Sequence, residues 1–223
     1  LATRRRQELM AAAGCVGAAR VELLGYADSG LDGQEGGAGS FARTAVDEAA
    51  GRLAEVLREE RADVLTVYDE AGGYGHPDHR QVRRVGMRAA ALAGTPVVLE
   101  ATVDRRLIKR AARLVAWLPG LPPEFAPSRF DSAYTASEAI THCVDVRHFS
   151  AAKRAAMAAH VSQGTADAGV RTLAVFLRLP RPLFTLVFGR EWFVEIGRAP
   201  GPVLDDIFAT SRSLDRYGPT AGD

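Results

Sequence analysis

Residues 62–68 read Ala-Asp-Val-Leu-Thr-Val-Tyr, and they run straight into Asp69-Glu70-Ala71-Gly72-Gly73-Tyr74-Gly75-His76-Pro77-Asp78-His79. A stretch so nearly apolar throughout suits a strand buried on both faces, as in a parallel sheet. A glycine-rich loop then leads into a helix start. In open α/β folds, ligands collect beyond the carboxyl ends of the strands, which is where this loop belongs. This one junction therefore constrains both the fold class and the place to look for chemistry.

The rest of the chain agrees with it. Leu9, Met10 and Ala13 give residues 3–14 a modest helical stripe that Gly14 should end, and residues 21–24 form a short strand candidate. Asp28-Ser29-Gly30 turns the chain into a Gly-rich loop over 33–39. Helices are expected over 44–60, 78–93, 104–117 and 149–162, and further strands over 97–100, 140–144 and 192–196. Gly94-Thr95-Pro96 breaks the second of those helices. Helix and strand alternate, which argues for a Rossmann-like, mostly parallel sheet flanked by helices. No repeat, low-complexity segment or linker divides the chain, so one domain over residues 1–223 is the expectation.

Composition excludes more than it selects. The formal net charge is +1, with Arg and Lys interspersed among acidic residues, and a nucleic-acid surface needs clustered basic residues. No apolar run approaches the roughly 20 residues of a membrane span, and no signal peptide is visible. Cys15 and Cys143 form no CxxC pair and read as reduced, buried thiols of a cytoplasmic protein. A small-molecule substrate is the expected partner, and a homo-oligomer is left open.

The chemistry concentrates at the His-Pro-Asp-His segment. Asp78 is a candidate N-cap, and His79 would then project from the first turn as a neutral imidazole ligand. His76, one turn earlier, would face a bound substrate. Asp78 could instead hold a ring nitrogen of His76 and set its tautomer. A donor at His76 would stabilise the oxyanion formed when water attacks an amide, and Tyr74 would add a second hydrogen bond. The bland alternative is that two histidines at a helix start are only capping and surface residues. Spacing alone does not decide, because a catalytic zinc takes three protein ligands.

The octapeptide Gly72–His79 (GGYGHPDH), following a strand that ends TVYDE, resembles a motif of the LmbE-like, PIG-L deacetylase family. That family includes N-acetylglucosaminyl-phosphatidylinositol deacetylases, the mycothiol-pathway deacetylase and mycothiol-conjugate amidases. Leu24–Gly30 (LGYADSG) and the Arg5/Glu8 pair on the first helix are similar to it as well. The resemblance covers residues 1–105, and later only 151–163. It implies the LmbE-like fold and hydrolysis of an N-acyl group, most simply an N-acetyl group on an amino sugar. It also implies a Zn2+ cofactor, or another divalent metal such as Fe2+. On the matching positions, His79 becomes the metal ligand and His76 the residue that stabilises the tetrahedral intermediate or protonates the leaving amine. Asp78 orients His76, Tyr74 lies beside the carbonyl, and Arg5 and Asp28 hold the sugar.

One departure stands out. The family carries an upstream His-Pro-Asp-Asp-Glu type motif with two metal ligands and the general base, and no such motif occurs in these 223 residues. The chain begins at Leu1, already inside a helix. The expectation is therefore an N-terminally incomplete domain, lacking its first strand. Two other functions remain in view: an amidase on thiol-conjugate or antibiotic-precursor amides, and a non-catalytic binding module. A dinucleotide-binding fold is disfavoured, because no G-x-G-x-x-G opens a helix after the first strand. Among the remaining residues, His142 and His148 read as packing or surface groups. His160 reads as core or surface, and Phe184, Phe188, Trp192 and Phe193 as core. Asp69 and Glu70 are balanced between substrate contact and a solvated turn.

Overall fold

Strand β1 (Val64–Tyr68) forms where the apolar run demands it, and it pairs in parallel with β2 (Val97–Thr102), Val64 opposite Val97 and Tyr68 opposite Ala101. The computed structural model describes residues 2–30, 33, 37–73, 75–107, 109–110, 135–160, 168–199 and 201–216. Two further strands, β3 (His142–Asp145) and β4 (Arg190–Glu195), complete a four-stranded sheet in the order β1-β2-β4-β3. β4 runs antiparallel to β2, with Leu99 opposite Glu195. The fold is α/β with helices flanking the sheet, as expected, and its described strands are mixed in direction.

The described residues divide into two compact units. The larger, Leu24–Val144 with Glu191–Asp223, contains most of the sheet together with helices α2 (Val46–Glu60) and α3 (Pro77–Ala93). Small side chains let these two helices approach closely: Ala49, Ala50, Ala54 and Ala89 are completely buried, with Leu57 and Val85 beside them. Asp47 and Glu48 in the first turn of α2 complement its macrodipole. His76 is the N-cap of α3, Pro77 occupies its first turn, and Gly94 closes it in the left-handed conformation. A second core lies around Val97, Leu99 and Phe193.

The smaller unit, Leu1–Leu23 with Asp145–Arg190, is helical: α1 (Ala2–Val16), α4 (Ser150–Ala159), α5 (Ala168–Leu177) and α6 (Arg181–Phe188). α1 packs on α4. From α4, Arg154 donates to the carbonyls of Leu177 and Leu179 and places its guanidinium over the Phe184 ring. A last helix, α7 (Ala209–Arg216), belongs to the larger unit.

Several expectations are corrected. Residues 21–24 form no strand; nearby, Ala27 makes only an isolated bridge to Ser40. α1 continues through Gly14 to Val16, and Cys15 on it is exposed, not buried. Asp78 is not the N-cap of α3, because Pro77 already stands in the first turn and His76 precedes it. Most of the helix expected over 104–117 lies outside the described residues. No helix among the described residues is long and apolar enough to cross a membrane.

Candidate active site

The loop that leaves β1 is fastened before it reaches the histidines. Asp69 is 3% exposed, and both its oxygens are used: Oδ1 accepts from the Gly73 amide at 2.8 Å and Oδ2 from the Thr102 hydroxyl at 2.9 Å. Asp69 is thus a buried brace joining the ends of β1 and β2 to the loop, not part of a solvated turn. Glu70 beside it is exposed. The Gly72 amide donates to the Asp69 carbonyl at 2.9 Å, and Gly75 donates back to Gly72 at 3.2 Å. Gly72 has φ +72°, and a Cβ there would lie 2.9 Å from Arg80 Cγ and 3.0 Å from the His76 carbonyl. Only glycine fits so tight a return under the helix start.

That turn aims the Gly72 carbonyl at Nδ1 of His79, 3.2 Å away. A carbonyl only accepts, so Nδ1 carries the proton and the lone pair of His79 lies on Nε2, the arrangement of a metal-ligating imidazole with an oriented second nitrogen. The His79 ring stacks on Tyr68, with centroids 3.8 Å apart and planes 3° from parallel. Burial pushes the His79 pKa below the usual imidazole range; the Gly72 bond opposes this, and the charge of nearby His76 adds to the lowering. Burial likewise raises the Tyr68 phenol.

His76 has the opposite tautomer. Its Nδ1 accepts from the Asp78 backbone amide at 3.2 Å, so its proton lies on Nε2. Two histidines three residues apart are thereby differentiated, one a hydrogen-bond donor and one a lone-pair donor, and their ring centroids are 4.9 Å apart. The backbone of Asp78, not its carboxylate, sets the His76 tautomer.

The Asp78 carboxylate is held elsewhere. Its Oδ2 accepts from the Ser29 amide at 3.1 Å, and the buried Ser29 hydroxyl accepts in turn from the Ala42 amide at 2.9 Å. The other oxygen, Oδ1, is buried without a hydrogen-bond partner among the described residues. Asp28 is drawn into the same place, its Oδ1 accepting from the Gly30 amide. Ligand-capable atoms of Asp28, His76 and Asp78 lie within 4.8 Å of one another. Beside them an open cavity of about 320 Å³ is lined by Leu24, Tyr26, Ala27, Asp28, Phe41 and Asp78. Such a concavity, with aromatic walls and convergent polar groups, is what a small polar ligand requires.

Four of the six residues singled out by sequence, Asp28, His76, Asp78 and His79, therefore meet in the larger unit. Arg5 belongs to the other unit, half-buried on α1, and Tyr74 lies outside the described residues. Sequence reasoning missed Ser29, which anchors Asp78, and Tyr68, which carries the His79 ring. Ser29 lies inside the quoted LGYADSG segment, and Tyr68 ends β1 immediately before the loop, so both had a signal.

Comparisons with known proteins point the same way. The model of the family described as GlcNAc-PI de-N-acetylase, PIG-L, matches residues 1–90. A 1D-myo-inositol 2-acetamido-2-deoxy-alpha-D-glucopyranoside deacetylase of Streptomyces griseus is 44% identical over 156 residues, covering 64% of this chain and 49% of that protein. The protein of the same name from Streptomyces avermitilis is 40% identical over 177 residues, covering 72% and 60%. A deacetylase of this name from Catenulispora acidiphila is 34% identical over 218 residues, covering 86% of the chain and 68% of the relative. The chain thus spans about half to two thirds of the length of these curated relatives.

Proposed function

The chain belongs to the GlcNAc-PI de-N-acetylase (PIG-L) family, and from that premise we propose that it serves a metal-dependent hydrolase that removes the N-acetyl group of an amino-sugar conjugate. The relatives' names point to a 2-acetamido-2-deoxy-glucopyranoside of inositol as the substrate class. The observation that carries the reading is the opposite tautomers of His76 and His79. Amide hydrolysis needs both a ligand and a donor at one carbonyl; the capping bond from the Asp78 amide leaves His76 a donor at Nε2, and the Gly72 carbonyl leaves His79 a lone pair there.

The donors present are imidazole nitrogen and carboxylate oxygen, a set that suits Zn2+ and also Fe2+. His79 is assigned as the ligand, because its lone pair is on Nε2, its ring is fixed by Gly72 and Tyr68, and burial keeps it neutral. His76 belongs to a three-residue group close enough to hold an ion, but its Nδ1 is taken by the Asp78 amide and its Nε2 bears the proton. Zinc, when bound, supplies Lewis acidity toward the amide carbonyl and a lower water pKa. His76 Nε2–H stabilises the oxygen on which negative charge develops. Water adds to the carbonyl carbon, the C–N bond breaks, and both protons of the water end on the amine, so that acetate and the ammonium form of the amino sugar leave. Asp78 and Ser29 hold the start of α3 in register with the loop around Asp28. Asp28, at the mouth of the cavity, accepts from sugar hydroxyls. Tyr74 is assigned beside the carbonyl and Arg5 to the sugar by the family resemblance.

Metal content and acetate release, measured on protein expressed from its whole reading frame, test the assignment. His79→Ala should lose the zinc. His76→Ala should keep the zinc and lose about 100- to 1000-fold in kcat, the typical cost of removing one oxyanion donor. Asp28→Asn should keep the zinc and raise KM. Zinc retained in His79→Ala but lost in Asp28→Asn would move the ion to the Asp28–His76–Asp78 group and overturn the ligand assignment.

A further inference from the structure

Tyr68 stands at the carboxyl end of β1 and is 39% exposed, whereas Val67 before it is buried against Gly86 of α3. A large ring so open to solvent adds little to the core. Its face lies on the His79 imidazole, with centroids 3.8 Å apart and planes 3° from parallel. Other ring pairs in the molecule look different. Tyr26 and Phe41 are 5.4 Å apart and tilted by 36°, Phe184 and Phe188 4.7 Å and 37°, Phe176 and Phe188 5.0 Å and 73°. Those three pairs fall within the roughly 4.5–7 Å that neutral aromatic rings prefer, and the Tyr68–His79 pair is closer and flatter.

The difference is electronic. The face of a neutral ring is negative, so two neutral faces laid close together repel. An imidazole that gives its lone pair to a metal ion is drained of electron density, and a phenol face then attracts it as it attracts a cation. The group at the edge of the ring acts in the same direction. Nδ1–H of His79 donates to the Gly72 carbonyl at 3.2 Å, which makes Nε2 the stronger electron donor. Edge and face together suit a ring that carries positive charge.

Resting on the assignment of His79 as the metal ligand, we propose that Tyr68 is a positioning residue whose ring face favours the metal-bound form of His79. The end of β1 thereby sets how tightly the ion is held.

Zinc dissociation constants test this, measured by competition with a chromophoric chelator on protein expressed from its whole reading frame. Circular dichroism checks the fold of each variant. Tyr68→Leu keeps an apolar contact and removes the π face, and it should weaken zinc binding by about 3- to 30-fold. Tyr68→Phe should weaken it less, and Tyr68→Trp should hold zinc at least as tightly as the wild type. Fluorine added stepwise to the ring in Tyr68→Phe drains the face at nearly constant shape. It should weaken zinc stepwise while leaving the urea stability of the metal-free protein unchanged or raised, because a drained face stacks better on a neutral ring. Zinc affinity indifferent to Tyr68→Leu or to fluorination would overturn the proposal and leave His79 standing as the ligand. A loss as large in Tyr68→Phe as in Tyr68→Leu would assign the effect to the hydroxyl and overturn it too. Zinc kept by His79→Ala, or absent from the folded wild-type protein, would overturn this proposal together with the ligand assignment.

Discussion

His76 and His79 do different work because two backbone groups, the Asp78 amide and the Gly72 carbonyl, hold opposite nitrogens of their rings. The Gly72 carbonyl points correctly only while its residue keeps φ +72°. Gly72→Ala adds left-handed strain and a crowded Cβ, and should cost about 1–3 kcal/mol in urea denaturation, with a fall in activity larger than the loss of stability explains. Ser29→Ala leaves the half-buried Ala42 amide without its acceptor and should cost about 1 kcal/mol by the same measurement. The histidines were legible in the sequence because His-Pro-Asp-His after a glycine loop is rare and chemically loaded. Their orienting groups were not. A carbonyl's direction depends on several φ angles together, and Ser29 meets Asp78 across 49 residues of chain.

At the scale of elements, α3 rests on β1 through Gly86, where a Cβ would lie 2.4 Å from Val67 Cγ1. Replacing glycine by alanine in a helix normally stabilises it by about 1 kcal/mol. Here Gly86→Ala should destabilise by about 1–3 kcal/mol, because the added methyl overpacks the helix–sheet contact. A midpoint shift toward stability in thermal or urea unfolding would contradict that packing. β1, α2 and α3 were legible within a residue or two: β1 is a nearly apolar run, α2 and α3 have a clear helical period, and Pro77 and Gly94 bound α3. Residues 21–24 misled because three apolar residues in four look alike whether or not a strand edge receives them. α5 and α6 went unseen for the opposite reason: apolar residues occur all round them, and Pro180 and Pro182 obscure the boundary, so no stripe appears. α7 has one leucine in eight residues and gives no pattern at all.

Across the whole molecule, pH acts through His142, which is completely buried between Thr141 and Glu195. Its Nε2 has no hydrogen-bond partner among the described residues and lies 3.8 Å from the Glu195 carboxylate. Burial lowers its pKa below 6.5, Arg198 lowers it further, and Glu195 and Asp206 oppose them. The unfolded chain therefore binds the proton more readily, so stability is full above the unfolded value and is lost as pH falls through the lower folded one. Tm should drop as pH is lowered from about 6.5, and His142→Gln should flatten that dependence whatever it does to Tm at neutral pH. A last consequence lies in Asp69, where a relay of hydroxyls from Thr135 through Thr102 ends on a carboxylate with no oxygen to spare. Scored on turnover alone, a mutational screen would rank Asp69 with the catalytic acids and count Thr135, distant in sequence, as a second hit. Melting curves recorded beside the rates would separate a broken fastening, which lowers both, from a missing reagent, which lowers the rate alone.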